Sequence, residues 1–462
     1  MSTSVVVIYP PGWVRYNVVV PVSITTLVGR LRADGVDAES RDLELECFLH
    51  NRKHSNLRKL DMELLCAKGT ITEHASALER LRDPWTGQKL RALVRADDAH
   101  TWAFSIMGAR QLRSSLVLAR VGKELGRHIV FGGQFATSHA QELLDTFPEI
   151  DAVVRGDGEG PLVELAKKTP RFETKEPQEP EQDAKTLAIP SFAGLNLDQY
   201  RRRSRMVAKS DEAHLIVQSI AVLGCVHRCL FCGRPKQHQF SAKPPEQLVD
   251  ELRRISDEAG SRNIKIEGNE LNPTRRYLDE LTGALIDADL GLNWGCYLRL
   301  NDLDRELLEQ LRESGCLFVR WGIESGAQSF HDRMNKGYRL EEIEQVLRDA
   351  HEVGLMNIGV FLIGVPFEPA EEIEATRVFI ERCREWIHAG KINPFGLAPD
   401  SDLVRCPEQH GIRLDPDLPG AYDELGGLTW SEKRKLNHRH YRAVAEALTT
   451  IEHASLRAEI LG

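Results

Sequence analysis

The sequence predicts an α/β protein with two parallel-sheet units in tandem. Its 462 residues are enough for two to four domains. Short apolar runs alternate with segments of helical spacing near the N-terminus, and the same alternation resumes after an acidic, proline-bearing stretch. We therefore expect a doubly wound N-terminal domain, a linker, a partial parallel barrel of about six β/α units and a short C-terminal helical capping segment, over residues 1–168, 169–194, 195–395 and 396–462.

The N-terminal domain begins with a buried-type strand at residues 4–9, which the turn Pro10-Pro11-Gly12 ends. A helix is predicted from Val22 to Leu31, because the apolar residues recur at helical spacing before a turn signal. Ligands of such sheets lie beyond the carboxyl ends of the strands, so the loops after the strands are candidate binding loops. Further strands are predicted at residues 36–43, 102–108, 128–133 and 151–155.

Two stretches in this half carry less information. Residues 47–98 are charged and have leucines at helical spacing, which predicts helix without indicating a function. Residues 169–189 are acidic, contain prolines and lack apolar periodicity, a pattern that is typical of a linker.

Strand and helix alternate again in the second unit. Five or six such β/α units make a partial parallel barrel, whose chemistry lies at the C-terminal ends of the strands. The side chains of Trp294, Tyr297 and Arg320 belong to this region, although the sequence leaves open which face of the sheet each one occupies. Strands are predicted at residues 263–266, 292–299, 317–323 and 357–364.

Three closely spaced cysteines follow the first strand of the barrel, in Cys225-Val-His-Arg-Cys229-Leu-Phe-Cys232. Thiolates at this spacing can converge on one metal centre. They cannot complete a four-ligand structural zinc site, and no His-x₃₋₅-His pair follows at zinc-finger spacing. A 4Fe–4S cluster fits better, because three irons take cysteine and the fourth stays open for a small molecule. A zinc site with one distant fourth ligand and unrelated buried thiols remain as alternatives.

This loop, with the aromatic Phe231 before its last cysteine, resembles the signature of the radical S-adenosylmethionine (SAM) superfamily. The resemblance covers about residues 195–410 and implies an enzyme in which SAM chelates the open iron. Reduction of the cluster would then cleave SAM to a 5′-deoxyadenosyl radical that abstracts a substrate hydrogen. It also implies a small electron donor such as flavodoxin or ferredoxin.

The resemblance assigns SAM contacts to the ends of successive strands. Glu270 matches the position that bonds the SAM amino group, with Asn269 as the competing choice. Arg299 suits the SAM carboxylate, since a guanidinium pairs with a carboxylate through two hydrogen bonds. Glu324, followed by Ser325, matches the motif that holds the ribose hydroxyls, and Gly364 belongs to the adenine side.

The N-terminal domain resembles the Rossmann-like cobalamin-binding domain that precedes many radical SAM enzymes. The matching residues are the loop after the first strand, Arg155-Gly-Asp-Gly-Glu159, and a set of binding candidates: Ser105, Met107, Gly108, Gly132 and Gly133. The resemblance implies that the glycines admit a large planar ring and that Ser105 lies near its lower face. The Asp-x-His-x-x-Gly motif that ligates cobalt in one subgroup is missing near residue 10. A Rossmann-like domain without the cofactor is the alternative.

Composition narrows the partners and the location. A net charge of −9 argues against a nucleic-acid surface, and no apolar run is long enough to span a membrane. Nine cysteines, an odd number, indicate a reducing compartment, so we expect a cytoplasmic protein. The six cysteines outside the loop are interpreted as small core residues: Cys47, Cys66, Cys296, Cys316, Cys383 and Cys406.

Three functions are therefore considered. The first is cobalamin-dependent radical methylation of an unactivated carbon in a small molecule or short peptide, in a biosynthetic pathway. The second keeps the radical site but gives rearrangement, ring contraction, oxidation or aminocarboxypropyl transfer. The third is a non-catalytic iron–sulfur or zinc protein on an α/β scaffold, since the fold alone does not determine the reaction.

Overall fold

The structure is a computed structural model that describes residues 4–12, 19–54, 71, 73–74, 98–167, 172–173, 183–208, 214–233, 240–398, 401–415 and 420–449. The chain divides into two compact units, which are described separately. The first comprises Met1–Ser219 with Arg254–Ser261, and the second Ile220–Arg253 with Arg262–Gly462. Among the described residues, no helix combines the length and the apolar character needed to cross a membrane.

The first unit is a parallel sheet with helices between its strands. Its strands are β1 (Ser4–Tyr9), β2 (Asp37–Asp42), β3 (Thr101–Ser105), β4 (His128–Gly132), β5 (Ala152–Val153) and β6 (Phe172–Glu173). Its helices are α1 (Val22–Ala33), α2 (Leu43–His54), α3 (Ala109–Glu124), α4 (Gln134–Ser138), α5 (Ala140–Thr146), α6 (Glu159–Lys167) and α7 (Leu197–Ala208), with a 3₁₀ turn at Ala184–Thr186.

The strand order of this sheet is β2-β1-β3-β4-β5-β6, and every adjacent pair is parallel. Alternate residues of β1 enter two different apolar clusters, Val6 and Ile8 in one and Val5 and Val7 in the other. Both faces of the sheet are therefore covered, which explains why β1 is apolar at successive positions. The chain leaves β1 for β2 on one side and reaches β3 on the other, so the strand order reverses at β1.

The second unit continues the alternation of strands and helices. Its strands are β7 (Ile216–Ile220, where the chain passes from the first unit), β8 (Val222–Leu223), β9 (Ser241–Ala242), β10 (Asn263–Glu267), β11 (Asn293–Leu298), β12 (Cys316–Glu324), β13 (Met356–Ile363), β14 (Ala389–Pro394), β15 (Ile412–Leu414) and β16 (Tyr422–Glu424). Its helices are α8 (Pro245–Ala259, which ends in the first unit), α9 (Arg275–Ala288), α10 (Arg305–Glu313), α11 (Gln328–Arg333), α12 (Leu340–Glu352), α13 (Ala370–Arg382), α14 (Asp402–Arg405) and α15 (Trp430–Thr449), with a 3₁₀ turn at Pro407–His410.

The main sheet of this unit has the order β14-β13-β12-β11-β10-β7. The neighbours from β10 to β14 pair in parallel. A simple succession of parallel strands with intervening helices is the arrangement of an incomplete β/α barrel, in which the carboxyl ends of the strands share one rim. The predicted fold class, a doubly wound domain followed by a partial barrel, is confirmed.

The structure departs from the predicted elements in three places. The strand expected at residues 151–155 is only Ala152–Val153, which pairs with Val130 and Phe131 of β4. Phe172–Glu173, inside the predicted linker, forms an edge strand beside β5. The C-terminal segment contains the antiparallel ribbon β15–β16 in addition to its helix.

Several predictions fall partly outside the described residues. These are the helix expected in residues 47–98, most of the stretch 169–189, and Cys66. Four of the other expected core cysteines, Cys47, Cys296, Cys316 and Cys383, are buried, whereas Cys406 is half-buried. The predicted domain boundaries stay a prediction.

Candidate functional site

The three cysteines lie in a loop that follows the short strand β8. Cys229 is buried, and Cys225 and Cys232 are half-buried. In the part of the chain that the structure describes, no three His, Cys, Asp or Glu side chains are grouped to hold a single metal ion. A 4Fe–4S cluster binds each cysteine at a different iron, so its sulfur ligands need not meet at one point. Three cysteines match the three protein-bound irons of such a cluster and are one ligand short of a structural zinc site.

The segment after α11 fixes the shape of this loop. The Leu230 N–H donates to the Met334 carbonyl over 3.1 Å, and the Asn335 side-chain amide donates to the Arg228 carbonyl over 2.9 Å. Within the loop, the Cys232 N–H donates to the carbonyl of Cys229 over 3.1 Å. The loop is thus held by the barrel itself, which presents the thiols at the rim where the strands end.

Glu270 lies beside the first cysteine and is 1% exposed. The Cys225 thiol donates to Glu270 Oε1 over 3.3 Å. Glu270 Oε2 makes no hydrogen bond and lies 3.4 Å from His227 Nε2 and 3.8 Å from Arg299 Nε. The side-chain Nδ2 of Asn269 is also buried without a hydrogen bond. Since buried polar atoms are almost always bonded, this pair fits a polar ligand that both accepts and donates hydrogen bonds.

The charges around Glu270 indicate which kind of ligand its unbonded oxygen would accept. Burial and the nearby carboxylate of Glu270 raise the pKa of the Cys225 thiol to about 12 in the absence of iron. Burial, followed by the charge of Arg299, lowers the pKa of His227 to about 4, so the imidazole is neutral. Burial also raises the pKa of Glu270, although Arg299 opposes that shift. A buried carboxylate in this situation is stabilised by a cationic donor.

Arg299 follows β11 and is held on several sides. Its backbone N–H donates to Asn272 Oδ1 over 2.9 Å, and Asn272 Nδ2 donates back to the Arg299 carbonyl over 3.0 Å. The guanidinium donates to the Cys229 sulfur over 3.5 Å and to the Lys336 carbonyl, and it lies 4.8 Å from the ring centre of Tyr338. The structure thus places a buried arginine, with a fixed orientation, directly beside the cysteine loop.

Glu324 ends β12 in the left-handed region, with φ +67°. Its Oε1 accepts from Lys336 Nζ over 2.9 Å. Lys336 is buried and lies 5.8 Å and 5.1 Å from the ring centres of Phe231 and Tyr338. A backbone conformation that costs about 1–2 kcal/mol for a residue with a side chain is typical of a functional turn. Phe231, the aromatic residue of the cysteine motif, lies beside Lys336 of this charged pair.

The sequence analysis missed Lys336, Asn272 and Tyr338. Lys336 lies twelve positions after Glu324, on the far side of α11, so only the fold brings the two together. A lysine so deeply buried is rare without a partner. Burial lowers the pKa of Lys336, but the Glu324 carboxylate, together with Tyr338 and Cys229, outweighs burial and raises it. The rim therefore holds two cations, Arg299 and Lys336, where the sequence indicated one.

Ser325 and Gly364 are fixed by bonds within the protein. Ser325 is fully buried, and its hydroxyl lies 3.0 Å from the Thr376 hydroxyl while accepting from the Ala327 N–H. Gly364 has φ +102°, its carbonyl accepts from Tyr422 over 2.9 Å, and its N–H donates to Glu368. The side chain of Ser325 shapes the turn after Glu324. Gly364 is a glycine because its own backbone conformation favours a residue without a side chain.

Glu368 gives a pH-dependent prediction. Burial raises the pKa of Glu368 to about 7, against the opposing effects of the Gly364 N–H and Lys433. The folded state therefore keeps a proton that the unfolded chain has lost, so stability falls as pH rises from about 4.5 to about 7. Glu368→Gln is expected to remove this fall. Between pH 5 and pH 8 the variant should therefore lose up to about 3 kcal/mol less free energy of unfolding than wild type does. Urea unfolding across this range measures it.

The control for this measurement is Glu371→Gln, because Glu371 is an exposed carboxylate on the same turn of chain. Its stability should follow the wild-type curve at every pH. Parallel curves for Glu368→Gln and wild type would contradict the prediction.

The candidate cobalamin residues lie at one edge of the first unit. Since β1, β3 and β4 are parallel, their carboxyl ends bring together the loops at Pro10, Ile106 and Gly132. Gln111 ties two of these loops, accepting from the Met107 N–H over 2.7 Å and donating to the Pro10 carbonyl over 3.1 Å. The sequence analysis did not select Gln111, which has no motif of its own.

The candidate cobalamin residues at this edge differ in their exposure and in the space around them. Met107 is 46% exposed, and a Cβ at Gly108 would meet no atom within 4 Å. The Ser105 hydroxyl lies 3.9 Å from the Met107 sulfur. Gly132 has room for ordinary contacts, with Val154 3.7 Å from the position of a Cβ. An exposed apolar side chain beside an open glycine fits the face of a large planar ring.

Gly133 has another reason to be glycine. It adopts φ +91°, and a Cβ there would lie 2.7 Å from the Ile106 carbonyl oxygen. The close approach of β3 and β4 loops within the protein therefore requires this glycine. Its presence does not depend on a ligand.

Trp294, Tyr297 and Arg320 are now assigned to faces of the second sheet. Trp294 lies in the buried layer outside the barrel, where its indole N–H donates to the Ser314 carbonyl over 2.9 Å. Tyr297 and Arg320 are paired across β11 and β12 and lie on the opposite, inner face.

Comparison with known proteins agrees with this geometry. The model of the radical SAM superfamily matches residues 220–380. An uncharacterized methyltransferase from Pyrococcus horikoshii is 25% identical over 286 residues, which cover 57% of this chain and 60% of the relative. The anaerobic magnesium-protoporphyrin IX monomethyl ester cyclase of Rubrivivax gelatinosus is 25% identical over 285 residues, covering 58% and 51%. The chain thus spans only about half the length of the curated relatives that it matches.

Solved structures resemble nearly the whole chain. The radical SAM methyltransferase TsrM from Kitasatospora setae, with cobalamin and a 4Fe–4S cluster bound, gives a TM-score of 0.64 at 17% identity, covering 90% of this chain and 80% of that one. The cobalamin-dependent radical enzyme OxsB gives a TM-score of 0.60 at 13% identity, covering 95% and 61%. These likenesses show the fold. Residues 220–380 of this chain match the radical SAM superfamily, whose members use a 4Fe–4S cluster and SAM.

Proposed function

We propose that this chain is a cobalamin-dependent radical SAM methyltransferase that acts on an unactivated carbon of a small molecule or short peptide. The observation that carries the proposal is the buried Oε2 of Glu270, which has no hydrogen bond and lies beside the thiol of Cys225 and the guanidinium of Arg299. These groups lie within the matched radical SAM domain, on the rim where the barrel strands end.

In this proposal each residue has a definite task. The three loop cysteines hold the cluster, and Glu270 accepts hydrogen bonds from the SAM ammonium group, with Asn269 as the competing contact. Arg299 and Lys336 neutralise the SAM carboxylate, and Glu324, held by Lys336, receives the ribose hydroxyls. The cluster supplies the electron for SAM cleavage, and cobalamin supplies the methyl group. The protein provides binding, orientation and exclusion of water.

The proposed domains follow the predicted boundaries. Residues 1–168 form the cobalamin-binding-type domain, 169–194 the linker, 195–395 the radical SAM barrel and 396–462 the capping segment. The parallel sheet β1–β6 and the superfamily match at residues 220–380 support this division. TsrM has been solved with tryptophan bound, which supports a small molecule as the substrate class. A flavodoxin or ferredoxin as reductant and a cytoplasmic location complete the proposal.

Product analysis tests the function directly. Cluster-reconstituted protein is incubated without oxygen with SAM, reductant and hydroxocobalamin, and the SAM-derived products are quantified. S-adenosylhomocysteine that forms only with cobalamin, together with 5′-deoxyadenosine, is the expected result. Absence of SAM cleavage across a panel of small-molecule and peptide substrates, with the cluster intact, would overturn the proposal and favour a non-catalytic metal protein.

A second candidate is radical chemistry without methyl transfer. The relative from Rubrivivax gelatinosus is a cyclase and is as similar to this chain as the methyltransferase from Pyrococcus horikoshii, at 25% identity each. Release of 5′-deoxyadenosine without S-adenosylhomocysteine would favour rearrangement, ring contraction or oxidation. Methylthioadenosine would indicate aminocarboxypropyl transfer.

A further inference from the structure

The sulfur of the second loop cysteine contacts a buried positive charge. Nη1 of Arg299 donates a hydrogen bond to the Cys229 sulfur over 3.5 Å. Arg299 and Cys229 are each only 8% exposed, so little water reaches the pair. An interaction between charges is screened less in such surroundings than at a surface, and it is correspondingly stronger. Arg299 therefore acts strongly on any charge that the Cys229 sulfur carries.

The protein itself fixes the orientation of the Arg299 guanidinium. Its Nε donates to Asn301 Oδ1 over 3.2 Å, and its Nη2 donates to the Lys336 carbonyl. The backbone of Arg299 exchanges two hydrogen bonds with the side chain of Asn272, and the Tyr338 ring centre lies 4.8 Å from the guanidinium. Ordering an arginine side chain costs conformational entropy, and here that cost is met within the fold before any ligand binds. The contact with the sulfur is therefore built into the barrel.

The other charges near Arg299 leave this contact in place. Lys336 Nζ donates to Glu324 Oε1 over 2.9 Å, so that buried cation is already compensated by a carboxylate. Glu270 Oε2 lies 3.8 Å from Arg299 Nε and makes no hydrogen bond to it, whereas Glu270 Oε1 accepts from the Cys225 thiol. A carboxylate thus lies beside the first cysteine of the loop, whereas a cation donates to the second.

A cation at this sulfur has a consequence for electron uptake. Adding an electron to a 4Fe–4S cluster increases the negative charge on the cluster and on its cysteine sulfurs. A hydrogen bond from a cation to one of these sulfurs stabilises the reduced form more than the oxidised form, because the reduced form carries more negative charge. Hydrogen bonds to the sulfurs and the net charge are among the factors that set the reduction potential of such clusters. A guanidinium beside Cys229 is therefore expected to make reduction easier.

We propose that Arg299 is a positioning residue that acts through the Cys229 sulfur and raises the reduction potential of the iron–sulfur cluster. The proposal rests on the proposed function, because it requires the loop cysteines to hold a 4Fe–4S cluster. A guanidinium has five N–H groups. Three of them are committed to Asn301, Cys229 and Lys336. Two remain for the SAM carboxylate, so one side chain serves both cluster reduction and SAM binding.

A redox titration of the full chain tests the proposal. The protein is loaded with cluster and kept free of SAM, so that no carboxylate competes for the guanidinium and no turnover takes place. The electron paramagnetic resonance signal of the reduced cluster is followed against the ambient potential. Arg299→Gln is expected to lower the equilibrium constant for reduction by about tenfold, which lowers the midpoint potential of a one-electron couple by about 59 mV. Wild type is therefore reduced at the higher potential.

Two further variants separate the charge of Arg299 from general effects of substitution. Arg299→Lys keeps the positive charge but loses the planar fork of donors, so its midpoint potential should lie between those of wild type and Arg299→Gln. Arg275→Gln is the matched control, because it removes an arginine of the same unit whose side chain is 45% exposed and is paired with Asp304. The control should titrate as wild type does.

A second measurement serves where Arg299→Gln does not fold or does not keep its cluster. Wild-type protein is labelled with ¹⁵N in the side-chain nitrogens of its arginines, and the reduced, SAM-free cluster is studied by pulsed electron paramagnetic resonance. A weak coupling to ¹⁵N is expected, because Nη1 of Arg299 is bonded to the sulfur of a cluster ligand. The same label in Arg275→Gln should give the same coupling.

Two results would overturn the inference. One is an equal midpoint potential in wild type and Arg299→Gln, even if the variant melts at a lower temperature or keeps less iron, as a purely structural arginine would predict. The other is a reduced wild-type cluster without any coupling to ¹⁵N. Either result, obtained with SAM cleavage by wild type intact, would leave the proposed function standing. Conversely, a lower potential in Arg299→Gln, when wild type never cleaves SAM, would defeat the proposed function alone.

Discussion

Replacing Cys225, Cys229 and Cys232 together with alanine is expected to abolish iron binding and all SAM cleavage. The three thiolates are the only ligands that the protein would offer to the cluster in this proposal, and an iron–sulfur cluster has no other anchorage. Iron and sulfide should fall from about four per chain after reconstitution to background. The colour of the cluster should disappear as well, and 5′-deoxyadenosine should fall below detection.

The matched control is Cys406→Ala, which removes a half-buried thiol outside the loop. It should keep its iron, its sulfide and its colour. The loop is held by backbone bonds from Leu230 and by Asn335, and none of these uses a thiol. The triple variant should therefore keep its fold, which its circular dichroism and melting temperature check. A folded triple variant that still binds about four irons would eliminate the cysteine loop as the cluster site.

Most of the fold could be predicted because the residue pattern that specifies each strand lies within that strand and its flanking turns. The strands β1, β4 and β10 to β13 are short apolar or alternating runs between turns, and period and turn chemistry predict such runs well. The shortening of β5 to two residues and the pairing of Phe172–Glu173 depend on contacts between distant strands. No local pattern in an acidic, proline-bearing stretch indicates an edge strand.

The candidate site likewise contains residues that could be predicted from the sequence and residues that could not. Glu270, Arg299 and Glu324 could be selected through the resemblance, which assigns SAM contacts to the ends of successive barrel strands. The sequence could not identify Lys336 as a site residue, because its contact with Glu324 depends on the turn after α11. The resemblance covers about residues 195–410 and therefore includes Lys336, but nothing in the local sequence distinguishes this lysine from an exposed one. The faces of Tyr297 and Arg320 became clear only from the register of β11 with β12.

Glu270→Gln is expected to weaken SAM binding by about 10- to 100-fold. A glutamine keeps the shape of the side chain but loses the negative charge, and a hydrogen bond to a charged group is worth about 1.5–3 kcal/mol. Equilibrium binding of SAM to the cluster-loaded protein, without reductant, measures this loss separately from catalysis. Glu246→Gln, at an exposed position on α8, is the control and should bind SAM as wild type does.

Stability distinguishes a binding role of Glu270 from a structural one. Burial raises the pKa of Glu270, so the carboxylate is less stable in the folded protein than in water. The neutral glutamine escapes that cost, and Glu270→Gln should melt at the same temperature as SAM-free wild type or above it. A structural glutamate would give the opposite sign. Asn269→Ala separates the two neighbours: if this variant loses SAM affinity and Glu270→Gln does not, SAM is bound by Asn269 rather than by Glu270.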